Sequence, residues 1–344
     1  MRTWIVPVGG FLGSGKTTLI LAAARILEER GMKTAAILND QGDDVVDTAF
    51  LRARGMAASE VTGACFCCQF SRLIDAAEEL RRYSPDVIFA EPVGSCTDLS
   101  ATILQPLKRD FRDRYRIAPL TVLVDPVRAQ DRDPNVRFLF DRQIAEADLV
   151  AFTKCDLYTE FPPVPAPARR FLSALTGHGV SAWLDEILSG TVPVGRTLLD
   201  IDYEHYARAE AALGWLNWRA SLRLEPALSP AELVGPFLDD LQRALLEAGA
   251  GIAHIKVLDE TAGSYLKAAL TADDAEPAID GEITASPETE HSLLVNLRAV
   301  FAAGELETLF AGPLSRLPGQ RRNERLQCFS PSAPQPEHRY YDVV

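Results

Sequence analysis

Gly9-Gly10-Phe11-Leu12-Gly13-Ser14-Gly15-Lys16-Thr17-Thr18-Leu19 follows directly on the apolar run Trp4-Ile5-Val6-Pro7-Val8. Gly10, Gly15, Lys16 and Thr17 fit the phosphate-binding pattern G-x-x-x-x-G-K-[ST], with a strand expected before it and a helix after it, the setting that pattern needs. Glycine reaches positive φ without a Cβ penalty, so the N–H groups from Gly10 through Gly13, Ser14 and Gly15 to Thr18 are expected to turn toward phosphate oxygens. Lys16 adds a point charge for the β- and γ-phosphates, and the Thr17 hydroxyl is a candidate ligand for Mg²⁺. A helix starting near Lys16, with Leu19, Ile20, Ala23, Ile26 and Leu27 on one face, aims its positive end at the bound anion. The stretch predicts a nucleoside triphosphate site.

Apolar strands alternate with helical segments downstream, which predicts right-handed crossovers and an α/β fold with a mainly parallel sheet. Thr34–Leu38 reads as a strand ending in Asn39-Asp40-Gln41-Gly42, and Asp40 is placed to sense the γ-phosphate through Mg²⁺. Asp86–Ala90 ends in Glu91-Pro92-Val93-Gly94. There Glu91 is expected to hold Mg²⁺ through water or to orient the attacking water, and the Gly94 N–H to meet the γ-phosphate. Asp148–Phe152 delivers Thr153-Lys154-Cys155-Asp156, close to the guanine-reading tetrad N-K-x-D. The Asp156 carboxylate matches the two donors on guanine's Watson–Crick edge, the Lys154 stem lies along the base, and the Ser173-Ala174 loop offers backbone N–H groups to the base carbonyl. GTP is therefore preferred over ATP.

Between the second strand and Glu91 lies Glu60-Val61-Thr62-Gly63-Ala64-Cys65-Phe66-Cys67-Cys68, ahead of a helix expected from about residue 69 to 83. Thiolates favour Zn²⁺ and similar ions, and Zn²⁺ usually takes four donors. Cys65, Cys67 and Cys68 are candidate ligands, with Glu60 or water completing the set; buried small side chains or a redox pair are the alternatives. Cys96, Cys155 and Cys328 stand alone in the sequence.

The 344 residues suggest two domains. A boundary is expected where Gly190, Pro193 and Gly195 punctuate the chain, giving a nucleotide-binding domain over 1–195, a smaller α+β domain over 203–312, and an arm or linker rich in proline and arginine over 313–344. Pro162, Pro163, Pro165 and Pro167 interrupt any helix after the Thr153 tetrad, and Asp273, Asp274, Glu276, Asp280 and Glu282 are expected to form a solvated loop. A net charge of −13 argues against a nucleic-acid partner. Neither an apolar run of about 18 residues nor a basic segment followed by a long apolar one is seen, so no membrane partner and a cytoplasmic location are expected.

With these motifs in hand, the chain resembles the CobW-type metallochaperone GTPases, related to the GTPases that mature urease and nickel hydrogenase. The likeness runs through Gly10–Leu19, Asn39–Gly42, Glu60 to Cys68, Glu91–Gly94 and Thr153–Asp156, in the family's order. Ala64 stands where the family has glycine, Asp40-Gln41 where it has Glu-Phe, and Thr153 where it has Asn or Ser; sixteen residues between Asp156 and Ser173 leave little room for a crossover helix. The resemblance implies Mg²⁺-dependent GTP hydrolysis, a bound Zn²⁺ or Co²⁺ near the cysteines, delivery to a client metalloprotein, and a nucleotide-dependent homodimer. A GTPase serving a corrinoid (cobalamin) enzyme, a small-molecule kinase and a metal store are the rival readings.

Overall fold

Continuous apolar runs become strands buried on both faces, as a parallel sheet between helices requires. The computed structural model describes residues 2–166, 169–273 and 275–344; Pro167 and Asp274 of the proline-rich and acidic stretches lie outside them. The chain divides into two compact units, one of residues 1–41, 51–209 and 333–344, the other of 42–50 and 210–332.

The first unit begins with β1 (Thr3–Gly10), α1 (Lys16–Glu29) and β2 (Thr34–Asn39); after α2 (Val46–Ala53), whose residues up to Phe50 belong to the second unit, come β3 (Ala57–Val61) and α3 (Phe70–Leu80). There follow β4 (Val87–Glu91), α4 (Gln105–Asp110), β5 (Tyr115–Ile117), β6 (Thr121–Val124), α5 (Pro134–Glu146), β7 (Leu149–Phe152), β8 (Arg169–Phe171), α6 (Val180–Leu188) and α7 (Tyr203–Ala211). The sheet runs β3-β2-β4-β1-β6-β7-β8 with β5 also on β1, and its pairings are parallel. Parallel pairing brings Gly10, Asn39, Glu91, Thr153 and the residues after β8 to one edge, where open α/β sheets bind ligands.

Three strands escape the apolar pattern. β3 (Ala-Ala-Ser-Glu-Val) is a half-buried outer strand without a continuous apolar run, and β5 and β8 are three residues long. The connection from β7 to β8 carries no helix among its described residues, in keeping with its prolines. The helix expected to reach residue 83 ends at Leu80 in a 3₁₀ turn, and the segment around residues 99–107 opens with a π-helical turn, Ser100–Leu104, before α4.

The second unit holds β9 (Leu213–Leu228), α8 (Pro230–Glu247), β10 (Gly251–Glu260), β11 (Tyr265–Leu270), β12 (Ala278–Gly281), β13 (Glu288–Val300), α9 (Ala303–Arg316) and β14 (Gln320–Phe329). Its antiparallel sheet has the order β12-β11-β10-β13-β9-β14. Alternate β9 residues Leu216, Trp218, Ala220, Leu222 and Leu224 meet Leu233, Phe237 and Leu241 of α8 and Phe310 of α9 in one core. α8 opens on a capping box in which Ser229 and Glu232 satisfy each other's backbone N–H groups. Residues 42–50 are held on this sheet. Asn296 accepts from the Val46 N–H at 2.8 Å, and Asp47 pairs with Lys256 and, at 2.8 Å, with Lys267. Burial would raise the Asp47 carboxyl's pKa; the two ammonium groups outweigh it and hold the group well below the usual range.

Two expectations change. Part of the acidic stretch is strand, because Tyr265 and the β11 backbone pair with β12. The last 32 residues are not one arm: α9 continues to Arg316, and β14 pairs with β9. Residues 333–344 pack on the first unit, where Arg339 pairs with Asp98 at 2.8 Å and the Tyr340 N–H donates to Ala101 O. No helix among the described residues is long and apolar enough to cross a membrane.

Candidate functional site

The loop between β1 and α1 has the backbone that its glycines permit. Gly10 sits at φ +132°, and a Cβ there would lie 2.5 Å from the carbonyl oxygen of Leu123, so no other residue fits between β1 and β6. Lys16, buried at the start of α1, donates to the carbonyls of Gly10 at 2.9 Å and Phe11 at 3.4 Å, which curls its ammonium over the loop. Thr17 donates to the Glu91 carboxylate, whose oxygens lie 3.0 and 3.2 Å from the hydroxyl. A hydroxyl and a carboxylate brought together beside a phosphate loop are the hard oxygen donors Mg²⁺ prefers. Gly94 passes so near the loop that a Cβ would fall 2.7 Å from Leu12 Cδ2 and 3.0 Å from its backbone nitrogen. Asp40 is half-buried just past β2, its N–H donating to Val61 O.

Beyond β7, the Thr153 hydroxyl donates to the carbonyl of Ser14 at 2.9 Å. The loop after β7 is thus tied to the loop between β1 and α1. Lys154, in the left-handed region at φ +57°, pairs with buried Asp125 at 2.6 Å, and Asp156 is exposed. Asp125, at the end of β6, was not singled out in the sequence. Ser173 spends its N–H on His178 O and its hydroxyl oxygen on the Thr176 N–H, so it shapes the loop that carries Ala174.

Cys65, Cys67 and Cys68 bring their sulfurs within 4.8 Å of one another, with separations of 2.6, 3.3 and 3.7 Å. Zn–S bonds of about 2.3 Å in a tetrahedron place sulfurs roughly 3.8 Å apart, so the Cys65–Cys67 pair would have to spread by about 1 Å to admit an ion. All are free thiols. Hydrogen bonds from Cys67, then Cys68 and Cys96, pull the Cys65 thiol well below its ordinary pKa. The bond to Cys65 holds Cys67 well above its own and pushes Cys68 up to about 12. The cluster therefore favours a single thiolate, on Cys65, with its two neighbours protonated.

Glu60 does not join the group. It lies on β3 opposite Leu38, ahead of the loop that carries the cysteines.

Asn39 holds that loop. Its amide donates to Val61 O and Ala64 O, both at 2.8 Å, and its oxygen accepts from the Phe66 N–H at 2.6 Å. The end of β2 is thereby joined to the cysteines by three hydrogen bonds. The C-terminal segment covers the cluster: the Gln335 N–H donates to Cys68 Sγ at 3.0 Å and the Glu337 N–H to Cys67 O at 2.9 Å. Asn39 was legible only as part of a strand-end motif, and nothing in the sequence of the last residues announced the cover.

Residues 4–165 match the nucleotide-binding domain of the CobW/HypB/UreG family. The zinc chaperone YjiA of Escherichia coli K12 is 31% identical over 160 residues, 44% of this chain and 49% of that protein. The zinc chaperone CobW of Sinorhizobium sp. is 27% identical over 182 residues, again 44% of this chain and 50% of that protein. The chain thus spans about half the length of the curated relatives it matches. Among solved structures, Zn(II)-bound YjiA GTPase from E. coli aligns over 91% of this chain and 99% of that one, at 17% identity and a TM-score of 0.35. A likeness at that level is loose, and the fold stands on its own strand order. The likeness to the CobW/HypB/UreG nucleotide-binding domain thus covers just under half of the 344 residues.

Proposed function

We propose that this protein is a GTP-hydrolysing metallochaperone that binds a transition metal on Cys65, Cys67 and Cys68 and alters its hold on the ion as GTP is turned over. The observation that carries this reading is the three-sulfur cluster tied by Asn39 to a strand end at the nucleotide edge of the sheet. In the proposed cycle, Lys16 and the loop N–H groups hold the phosphates, Asp156 reads guanine, and Glu91 orients the water that attacks the γ-phosphate while Asp40 senses it. Thr17 and Glu91 would hold Mg²⁺, which supplies charge neutralisation on the phosphates when bound. Both relatives described above are named zinc chaperones, which favours Zn²⁺ as cargo; Co²⁺ suits the same thiolates. Delivery to a client metalloprotein, a nucleotide-dependent homodimer and a cytoplasmic location complete the reading.

The test pairs phosphate release from GTP and ATP, with and without Mg²⁺, with elemental analysis of wild type and a Cys65/Cys67/Cys68→Ser variant. GTP-selective, Mg²⁺-dependent release and loss of bound metal in the variant are expected. Equal metal content in the two proteins would remove the metal site, and phosphate transfer to an added small molecule would favour a kinase.

A further inference from the structure

We propose that Cys96 is the fourth thiolate of the metal site, so that the ion is held jointly by the Cys65–Cys68 loop and by the loop that follows β4. This rests on the metal-binding reading above and goes beyond it by naming the missing ligand and the path by which nucleotide reaches metal.

Cys96 lies 31 positions from Cys65 in sequence but not in space. Its side chain is 1% exposed and hydrogen-bonds to both Cys65 and Cys67. A tetrahedral ion on three thiolates takes one more donor, water or a side chain; Glu60 is on β3, outside the group, and the covering segment contributes N–H donors, which cannot ligate a cation. Cys96 is soft, buried and already in contact. Its sulfur stands outside the 4.8 Å set that includes Cys68, the partly exposed member, so closing the tetrahedron takes a side-chain rotation at one of these two. On loading, the ion displaces the remaining thiol protons to buffer, and no oxidation or reduction is involved.

The backbone around Cys96 is fixed from two sides. The Cys96 N–H donates to Val93 O at 2.9 Å, and the Gln143 amide donates to Gly94 O at 2.9 Å and Cys96 O at 2.8 Å. Gly94, two residues earlier, packs on Leu12 of the phosphate loop. Any shift of this loop on loss of the γ-phosphate moves one ligand of four while the other three stay on Asn39, so Cys96 makes metal affinity depend on nucleotide.

The deciding measurement is the sulfur count around Zn²⁺ in the wild-type, full-length protein by X-ray absorption, which needs no variant. Four sulfurs near 2.3 Å are expected. The same protein and Cys96→Ala are then loaded with Co²⁺, and the thiolate charge-transfer band per bound ion is expected to fall by about a quarter, with thermal melting confirming a folded variant. Three sulfurs with one lighter atom, and an unchanged band in Cys96→Ala, would overturn the role of Cys96 while leaving the three-cysteine site standing. Failure of wild type to bind Zn²⁺ or Co²⁺ at all would instead overturn the metallochaperone reading, and this inference with it.

Discussion

Asp156, proposed to read guanine, is exposed, yet its neighbours restrain the loop that carries it. Lys154 is fixed by Asp125 and Thr153 by Ser14, so the carboxylate is presented from a loop tied at two points to the sheet edge. Removing a charged hydrogen-bond acceptor from a base costs about 1.5–3 kcal/mol, or roughly ten- to a hundredfold in affinity. Asp156→Ala should therefore raise the KM for GTP by about that factor with little change in kcat, measured by phosphate release across a GTP series. An unchanged preference for GTP over ATP in this variant would move guanine reading to another residue. Asn39 makes a comparable argument on the metal side. Asn39→Asp keeps an acceptor for the Phe66 N–H but loses the donors to Val61 O and Ala64 O. Groups that support ligands from behind are worth about 10–100-fold in metal affinity, and a loss of that size is expected in chelator competition.

Local motifs were readable wherever their residues are contiguous: the β1–α1 loop, the ends of β2, β4 and β7, and the Cys65–Cys68 run. Pairings made by parallel strands far apart in sequence were not. Cys96 reaches the cysteines because β2 and β4 are neighbours, and Asp125 reaches Lys154 because β6 adjoins β7. The short strands β5 and β8 had too few residues to show a pattern, and β12 was hidden among acidic residues that face outward. α5 carries a buried group that such pattern reading also passes over. Glu146, at its C-terminal end, accepts from Thr97 at 3.0 Å and the Ser100 N–H at 2.9 Å, yet burial, with Asp98 nearby, pushes its pKa up to about 8. Asp98 itself faces Arg339 and Tyr203. A carboxyl that stays protonated in the folded chain but ionises at its ordinary pKa when unfolded favours folding below that pKa, and the benefit is lost as pH rises toward 8. Urea unfolding at pH 5 and pH 8 should show wild type losing more stability than Glu146→Gln over this interval, by roughly 4 kcal/mol at most. Parallel losses would mean that Glu146 is ionised in the fold.

The first unit joins its nucleotide edge to its cysteines by two routes, Asn39 at the end of β2 and the Gly94–Cys96 loop after β4, and residues 333–344 lie over the result. In that segment the Gln335 N–H donates to Cys68 Sγ and the Glu337 N–H to Cys67 O. Linkage makes the consequence reciprocal: if nucleotide state changes the affinity for metal, metal changes the affinity for nucleotide by the same factor. The second unit is built separately on its antiparallel core, with residues 42–50 fixed to it through Asp47 and Asn296. Coupling between sites in proteins typically amounts to about 5–150-fold. The measurement to make is the Zn²⁺ affinity of the protein bound to a non-hydrolysable GTP analogue and to GDP, each by competition with a chelating dye. A difference of at least about fivefold between the two states is predicted, and equal affinities would contradict a nucleotide-controlled metal site.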